Sequence, residues 1–145
     1  MSRRIPEDAK VVADHLHSAA IHLLRKLRRQ DNASGLSAPR LSALSVVVFA
    51  GPVTLGDLAA AEQVRPPTMT RIVSALAKQG LVEKRKNERD GRITLIGATP
   101  SGKKLLMEGK ERRVRALADS IVGLDGEDRA ALERAVEILR EISGG

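Results

Sequence analysis

From about Asp8 to Arg29, apolar residues return at helical spacing: Val12, Leu16, Ala19, Leu23 and Leu27 form one stripe, which Val11, Ala20 and Leu24 widen. The polar run Gln30 to Gly35 predicts a break. Ser37 then offers an N-cap for a second helix through Leu44, Val47 and Val48, with Leu36 and Leu41 spaced for a hydrophobic staple and Gly51-Pro52 as its stop.

Between Thr54 and Gly91 the pattern changes to short elements. A helix over Thr54 to Ala61 is capped by Thr54, with Asp57 at the third position and Leu55, Leu58 and Ala59 inward. A turn over Glu62 to Arg65, plugged by Val64, leads into a helix over Pro66 to Gln79. Met69, Ile72, Val73 and Leu76 occupy one face of that helix, while Pro67, Thr70, Arg71, Ser74 and Lys78 occupy the other. Gly80 suits the left-handed residue of a Schellman end, with Leu81 folding back on Leu76. Leu81 to Lys86 and Arg92 to Ala98 read as two strands of a hairpin, the second setting Ile93 and Leu95 against Arg92 and Thr94; its tip spans Asn87 to Gly91 and turns at Asp90-Gly91.

Thr99 caps a long helix with Pro100 at its first position, and Leu105, Leu106, Val114, Leu117, Ala118, Ile121 and Val122 follow. Asp125 opens a last helix striped by Leu132, Ala135, Val136, Leu139 and Ile142. Three long amphipathic helices at the ends of a small chain need a cover, and a second copy of themselves predicts a two-fold dimer. The fold class expected is mainly α with a small β-hairpin: a winged helix-turn-helix lobe over residues 36–99, flanked by dimerisation helices over 8–30 and 100–143.

A helix-turn-helix followed at once by a charged hairpin is the layout of a winged helix, whose usual partner is duplex DNA. The charge supports that partner: 145 residues carry a formal +7. Cysteine is absent, which excludes disulfides, thiolate metal sites and thiol redox sensing. One aromatic residue, Phe49, is too few for base-stacking platforms. The stretch Met1 to Arg4 is basic without the apolar run of a signal peptide, and no later segment stays apolar for about 18 residues, so a cytoplasmic protein is expected. No nucleophile motif, phosphate-cradling glycine loop or converging acid and base pair points to an enzyme, and no cofactor is implied.

The candidate DNA contacts follow from groove chemistry. Thr68, Thr70, Arg71 and Ser74 are placed for the major groove, with Lys78 farther along for a phosphate. Arg89 and Arg92 stand at the hairpin tip, above Lys84, Arg85 and Lys86, where a narrow minor groove attracts guanidinium groups. Asp90 is expected to orient Arg92, because a bare carboxylate is repelled by phosphate. His15 and His22 share a face of the first helix, but two ligands do not close a zinc site, and no metal is expected. The alternative to sequence-specific DNA binding is a winged-helix module for dimerisation or protein docking.

The chain resembles the MarR family of bacterial winged-helix transcriptional regulators over nearly its whole length. The resemblance rests on Leu58-Ala59 through Val64, Thr70-Arg71-Ile72-Val73 leading to Leu76 and Gly80-Leu81-Val82, Arg85, Asp90-Gly91-Arg92, and Thr99-Pro100-Ser101-Gly102. It implies a homodimer on a pseudo-palindromic operator, a repressor of a neighbouring gene, and release by a small anionic or phenolic ligand. It also implies a ligand cleft between dimer helices and DNA-binding lobe, which His22, Lys26, Leu44, Val48 and the C-terminal helix would line. Two positions depart from the family pattern. Arg65 stands where Ser or Asp is usual: either Pro66 and Pro67 hold the helix start, or Arg65 is freed to reach a phosphate. Ala98 replaces the leucine that usually precedes the capping threonine.

Overall fold

The computed structural model describes residues 4–144, so Met1 to Arg3 of the basic N-terminal stretch lie outside the described residues. Helix α1 spans Glu7–Arg28, α2 Ala38–Ala50, α3 Leu55–Ala61 and α4 Pro66–Lys78. Strands β2 (Val82–Lys86) and β3 (Thr94–Ala98) make the hairpin, followed by α5 (Pro100–Val122) and α6 (Gly126–Ser143). The expected break after α1 is a 3-10 turn over Arg29–Ser34, closed by Gly35 at φ 73°. A further strand, β1 (Val53–Thr54), makes the sheet three-stranded and antiparallel in the order β1-β3-β2.

Local sequence explains the boundaries. Thr54, Thr99 and Asp125 each accept the backbone N–H three residues on, at 3.1, 3.1 and 2.8 Å, as N-caps should. Ser37 holds the N-cap position of α2 but its side chain makes no cap hydrogen bond. One of the two N–H groups it could accept belongs to position N2, which is Pro39 and has none. At the end of α4, Leu81 N–H reaches Leu76 O and Gly80 N–H reaches Ala77 O, both at 3.0 Å, with Gly80 at φ 71°. That is the expected Schellman end. Helix α3 closes in the same way, with Val64 N–H on Ala59 O and Gln63 N–H on Ala60 O. Here the left-handed position, φ 54°, is Gln63.

The core lies between α2, α3, α4 and the sheet, and Leu44, Leu58, Met69, Leu76 and Ile96 are its largest sealed side chains. The β3 alternation corrects the expected one. Ile96 and Ala98 are buried, while Leu95 is half-buried and Ile93, just before the strand, is exposed. β3 is the central strand, and Ile96 and Ala98, on one of its faces, join the core against α2. Helices α1 and α6 bury none of their residues, and Val12, Leu24, Val114, Val122 and Ile142 stand exposed on α1, α5 and α6. No single helix among the described residues is long and apolar enough to cross a membrane.

Candidate nucleic-acid interface

The buried stripe of α4 decides which of its residues face out. With Met69, Val73 and Leu76 in the core, Arg65, Pro67, Thr68, Thr70, Arg71, Ser74 and Lys78 are all exposed. The start of α4 needs no side-chain cap. Pro66 and Pro67 carry no N–H, and the next two, on Thr68 and Met69, bond Arg65 O at 3.0 and 3.1 Å. The prolines therefore hold the helix start, and the Arg65 side chain is exposed. Thr70 Oγ1 donates to Pro66 O at 3.0 Å, so its proton is turned into the helix and its lone pairs face outward.

Strand pairing sorts the basic residues of β2. Lys84 pairs with Ile96 and shares with Leu55, Thr70, Val73 and Thr94 a cavity of about 250 Å³ between α4 and the sheet. Arg85 pairs with Leu95 and projects from the opposite face. Its guanidinium is bonded to the Glu83 carboxylate, with Nε to Oε1 at 2.7 Å, and lies over Gly97, where an added Cβ would meet Arg85 Cζ at 3.1 Å. The pleat thus brings Lys84 to α4 and carries Arg85 away from it.

The hairpin tip is ordered by two short side chains. Asn87 Oδ1 accepts Arg89 N–H at 2.8 Å and Asp90 N–H at 3.4 Å, while Asn87 N–H donates to Ile93 O at 2.9 Å. Asp90 takes Arg92 three times: Oδ1 accepts its backbone N–H and its Nε–H, both at 3.1 Å, and Oδ2 accepts Nη2 at 3.2 Å. These bonds hold the Asp90 carboxyl below its ordinary pKa, the Arg92 side chain contributing most and its backbone N–H next. The Arg92 side chain is still 91% exposed. Its guanidinium is fixed in direction and open to solvent on its outer edge.

Sequence reasoning passed over Arg40. On α2 it stands four and seven residues before Leu44 and Val47, in phase with the buried stripe. It lines one shallow concavity of about 710 Å³ with Ser74, Lys78, Gln79 and Lys84. A charged residue in register with an apolar stripe is the signal that could have found it.

The residues expected around a ligand do not gather. Leu44 is sealed in the core, where no ligand reaches it, and Val48 packs half-buried against that core. His22 and Lys26 are exposed on α1, with Lys26 Nζ donating to Ser120 Oγ on α5 at 3.0 Å. A cleft of about 680 Å³ lies instead at the joint of the long helices with the lobe, lined by Arg28, Asp31, Leu41, Ser42, Val64 and Arg113 among others. Arg113 bridges it to Asp31 at 2.5 Å, both half-buried. Among the described residues no three His, Asp or Glu side chains assemble into a metal site.

Comparison with known proteins places this geometry. The profile described as MarR family matches residues 36–94. An uncharacterized HTH-type transcriptional regulator of Mycobacterium leprae is 33% identical over 138 residues, covering 95% of this chain and 96% of that protein. An HTH-type transcriptional regulator of Mycobacterium tuberculosis is 34% identical, covering 93% and 94%. Among solved structures, a MarR family protein from Bacillus stearothermophilus superposes with a TM-score of 0.80 at 22% identity, covering 98% and 100%. A mutant of S. aureus MepR, solved bound to an oligodeoxyribonucleotide, superposes at 0.71 and 18% identity, covering 90% and 97%. At those identities the structural likeness shows the fold.

Proposed function

We propose that this chain, which belongs to the MarR family of helix-turn-helix transcriptional regulators, acts in the cytoplasm as a homodimeric repressor that binds a pseudo-palindromic operator in double-stranded DNA. The observation that carries this reading is the exposed polar face of α4 beside a hairpin whose Arg92 is aimed outward by Asp90. In this reading α4 enters the major groove. Arg71 and Ser74 face base edges, Arg65, Thr68 and Lys78 reach phosphates, and Pro67 packs at the groove wall. Thr70, its proton committed to Pro66, serves as an acceptor and so faces a base amino group rather than a phosphate. Arg89 and Arg92 enter the adjacent minor groove, Lys84 takes a phosphate beside α4, and Arg85 bears on DNA only if it leaves Glu83.

The dimer is supported by the open apolar faces of α1, α5 and α6, which a second copy would cover and which would set two α4 helices about 34 Å apart, one turn of the duplex. Release by a small anionic or phenolic effector is assigned to the cleft at Arg28, Ser42 and Arg113, where a ligand that favours another spacing lowers DNA affinity reciprocally. The test is a titration of the protein into a duplex carrying an inverted repeat from upstream of its own coding region, against a scrambled duplex. Tight binding to the first alone, weakened at least tenfold by Arg71→Ala or Arg92→Ala, is expected; equal binding to both refutes the reading.

A further inference from the structure

The concavity at the C-terminal end of α4 draws one cation from each of three elements: Arg40 from α2, Lys78 from α4 and Lys84 from β2. Among the described residues no carboxylate pairs with any of the three, although seven other ion pairs form. The carbonyls of Leu76 and Ala77 at that helix end already accept the N–H groups of Leu81 and Gly80. Three like charges around one hollow repel each other, and the arrangement is stable on its own only because solvent screens it. An anion set among them would turn that repulsion into attraction. Ser74 and Gln79, on the same wall, add neutral hydrogen-bond donors.

We propose that this notch seats one backbone phosphate of the duplex, and that Arg40, outside both the helix-turn-helix and the hairpin, is the residue that holds it. The proposal rests on the DNA-binding reading above and adds a contact from α2. Arg40, a half-buried residue at the N-terminal end of α2, is better fixed than Lys78 or Lys84, both exposed. It therefore loses less rotamer freedom on meeting the phosphate. A phosphate contact carries no base information, so Arg40 sets the seating of α4 in its groove for every sequence.

The experiment needs no operator. Affinity for a generic 30-base-pair duplex is measured between 50 and 200 mM salt for the wild type, Arg40→Ala, Arg40→Lys and Arg92→Ala. Each phosphate released from contact makes the log–log slope shallower by about 0.9, so a dimer losing two loses about 1.8. Wild-type and Arg40→Ala affinities should then draw together about tenfold across that salt range, with Arg40→Lys keeping the wild-type slope and all four proteins melting alike. An unchanged slope in Arg40→Ala, with Arg92→Ala shallower, overturns the notch and leaves the DNA-binding reading standing. A slope in Arg40→Lys as shallow as in Arg40→Ala overturns it too, because the role would then be packing rather than charge. Absence of wild-type binding removes both. Titration of inorganic phosphate without DNA completes the set: saturable uptake lost in Arg40→Ala would assign the notch to a free phosphate compound instead.

Discussion

Gly102 is the position at which one methyl group should do the most damage. It is the third residue of α5, its N–H is held by Thr99 Oγ1 at 3.1 Å, and a Cβ built on it would stand 2.1 Å from Leu81 O and 3.2 Å from Leu44 Cδ1. Leu81 O cannot retreat freely. It accepts Thr99 N–H at 3.1 Å, and the N–H of the same residue closes the Schellman end of α4 at 3.0 Å. Relieving the clash needs a shift of roughly 1 Å between α5 and the end of α4, an overpacking cost of about 1–3 kcal/mol. Loss of the Thr99 to Leu81 hydrogen bond adds about 1 kcal/mol, and the better helix propensity of alanine returns up to about 1 kcal/mol. Gly102→Ala should therefore destabilise by about 1–3 kcal/mol, lowering Tm by roughly 3–10 °C. The assay is thermal unfolding followed by circular dichroism at one fixed protomer concentration, since Tm of an associating chain depends on it. Gly126→Ala is the control, because nothing lies within 4 Å of its Cβ. A Gly102→Ala melting point equal to or above wild type would refute the close packing described here. The same joint fixes α4 to α5, so duplex affinity should fall along with stability.

Gln63→Gly should stabilise the chain by about 0.5–1 kcal/mol, read by urea unfolding, because φ 54° costs a side-chain residue strain that glycine does not feel. Asp90→Asn should weaken duplex binding severalfold by removing the charge that aims Arg92. The wild-type carboxyl is depressed by Arg92, so the contribution of the Asp90–Arg92 pair is fully present above the ordinary carboxylate pKa and is lost only as pH falls through the lower folded value. Affinity titrations between about pH 5 and pH 8 should thus show the same deficit for Asp90→Asn at every point. Ile142→Asp should leave the protomer folded, since that side chain is 71% exposed, yet shift sedimentation equilibrium towards a single protomer; an unchanged mass would place the dimer contact elsewhere.

Most of this fold could be read from the chain because its signals are local. Gly80-Leu81 announced the end of α4, Thr99-Pro100 the start of α5, and the alternation of core and polar positions on α4 its wet face. What escaped was set by tertiary partners. β1 is two residues long, too short to show a period, and exists because β3 pairs with it at Val53 and Thr54. α3 ends at Ala61, where the expected turn over Glu62 to Arg65 begins; only the left-handed residue within that turn, Gln63, carries no glycine signature to mark it. In β3 the pattern of Ile93 and Leu95 pointed to the wrong face, since burial of Ile96 depends on which side α2 packs. The same limit separates Lys84 from Arg85 and brings Arg40 beside Lys78, relations that no spacing within one segment contains.

The central claim is that two copies of α4 and its hairpin meet one duplex together. Hydroxyl-radical footprinting on a duplex carrying the upstream inverted repeat tests it directly. Two protected stretches on one face are expected, their centres one helical turn or a multiple of it apart, each flanked by minor-groove protection that Arg92→Ala removes. A single protected stretch, or protection spread evenly along the duplex regardless of sequence, would contradict it.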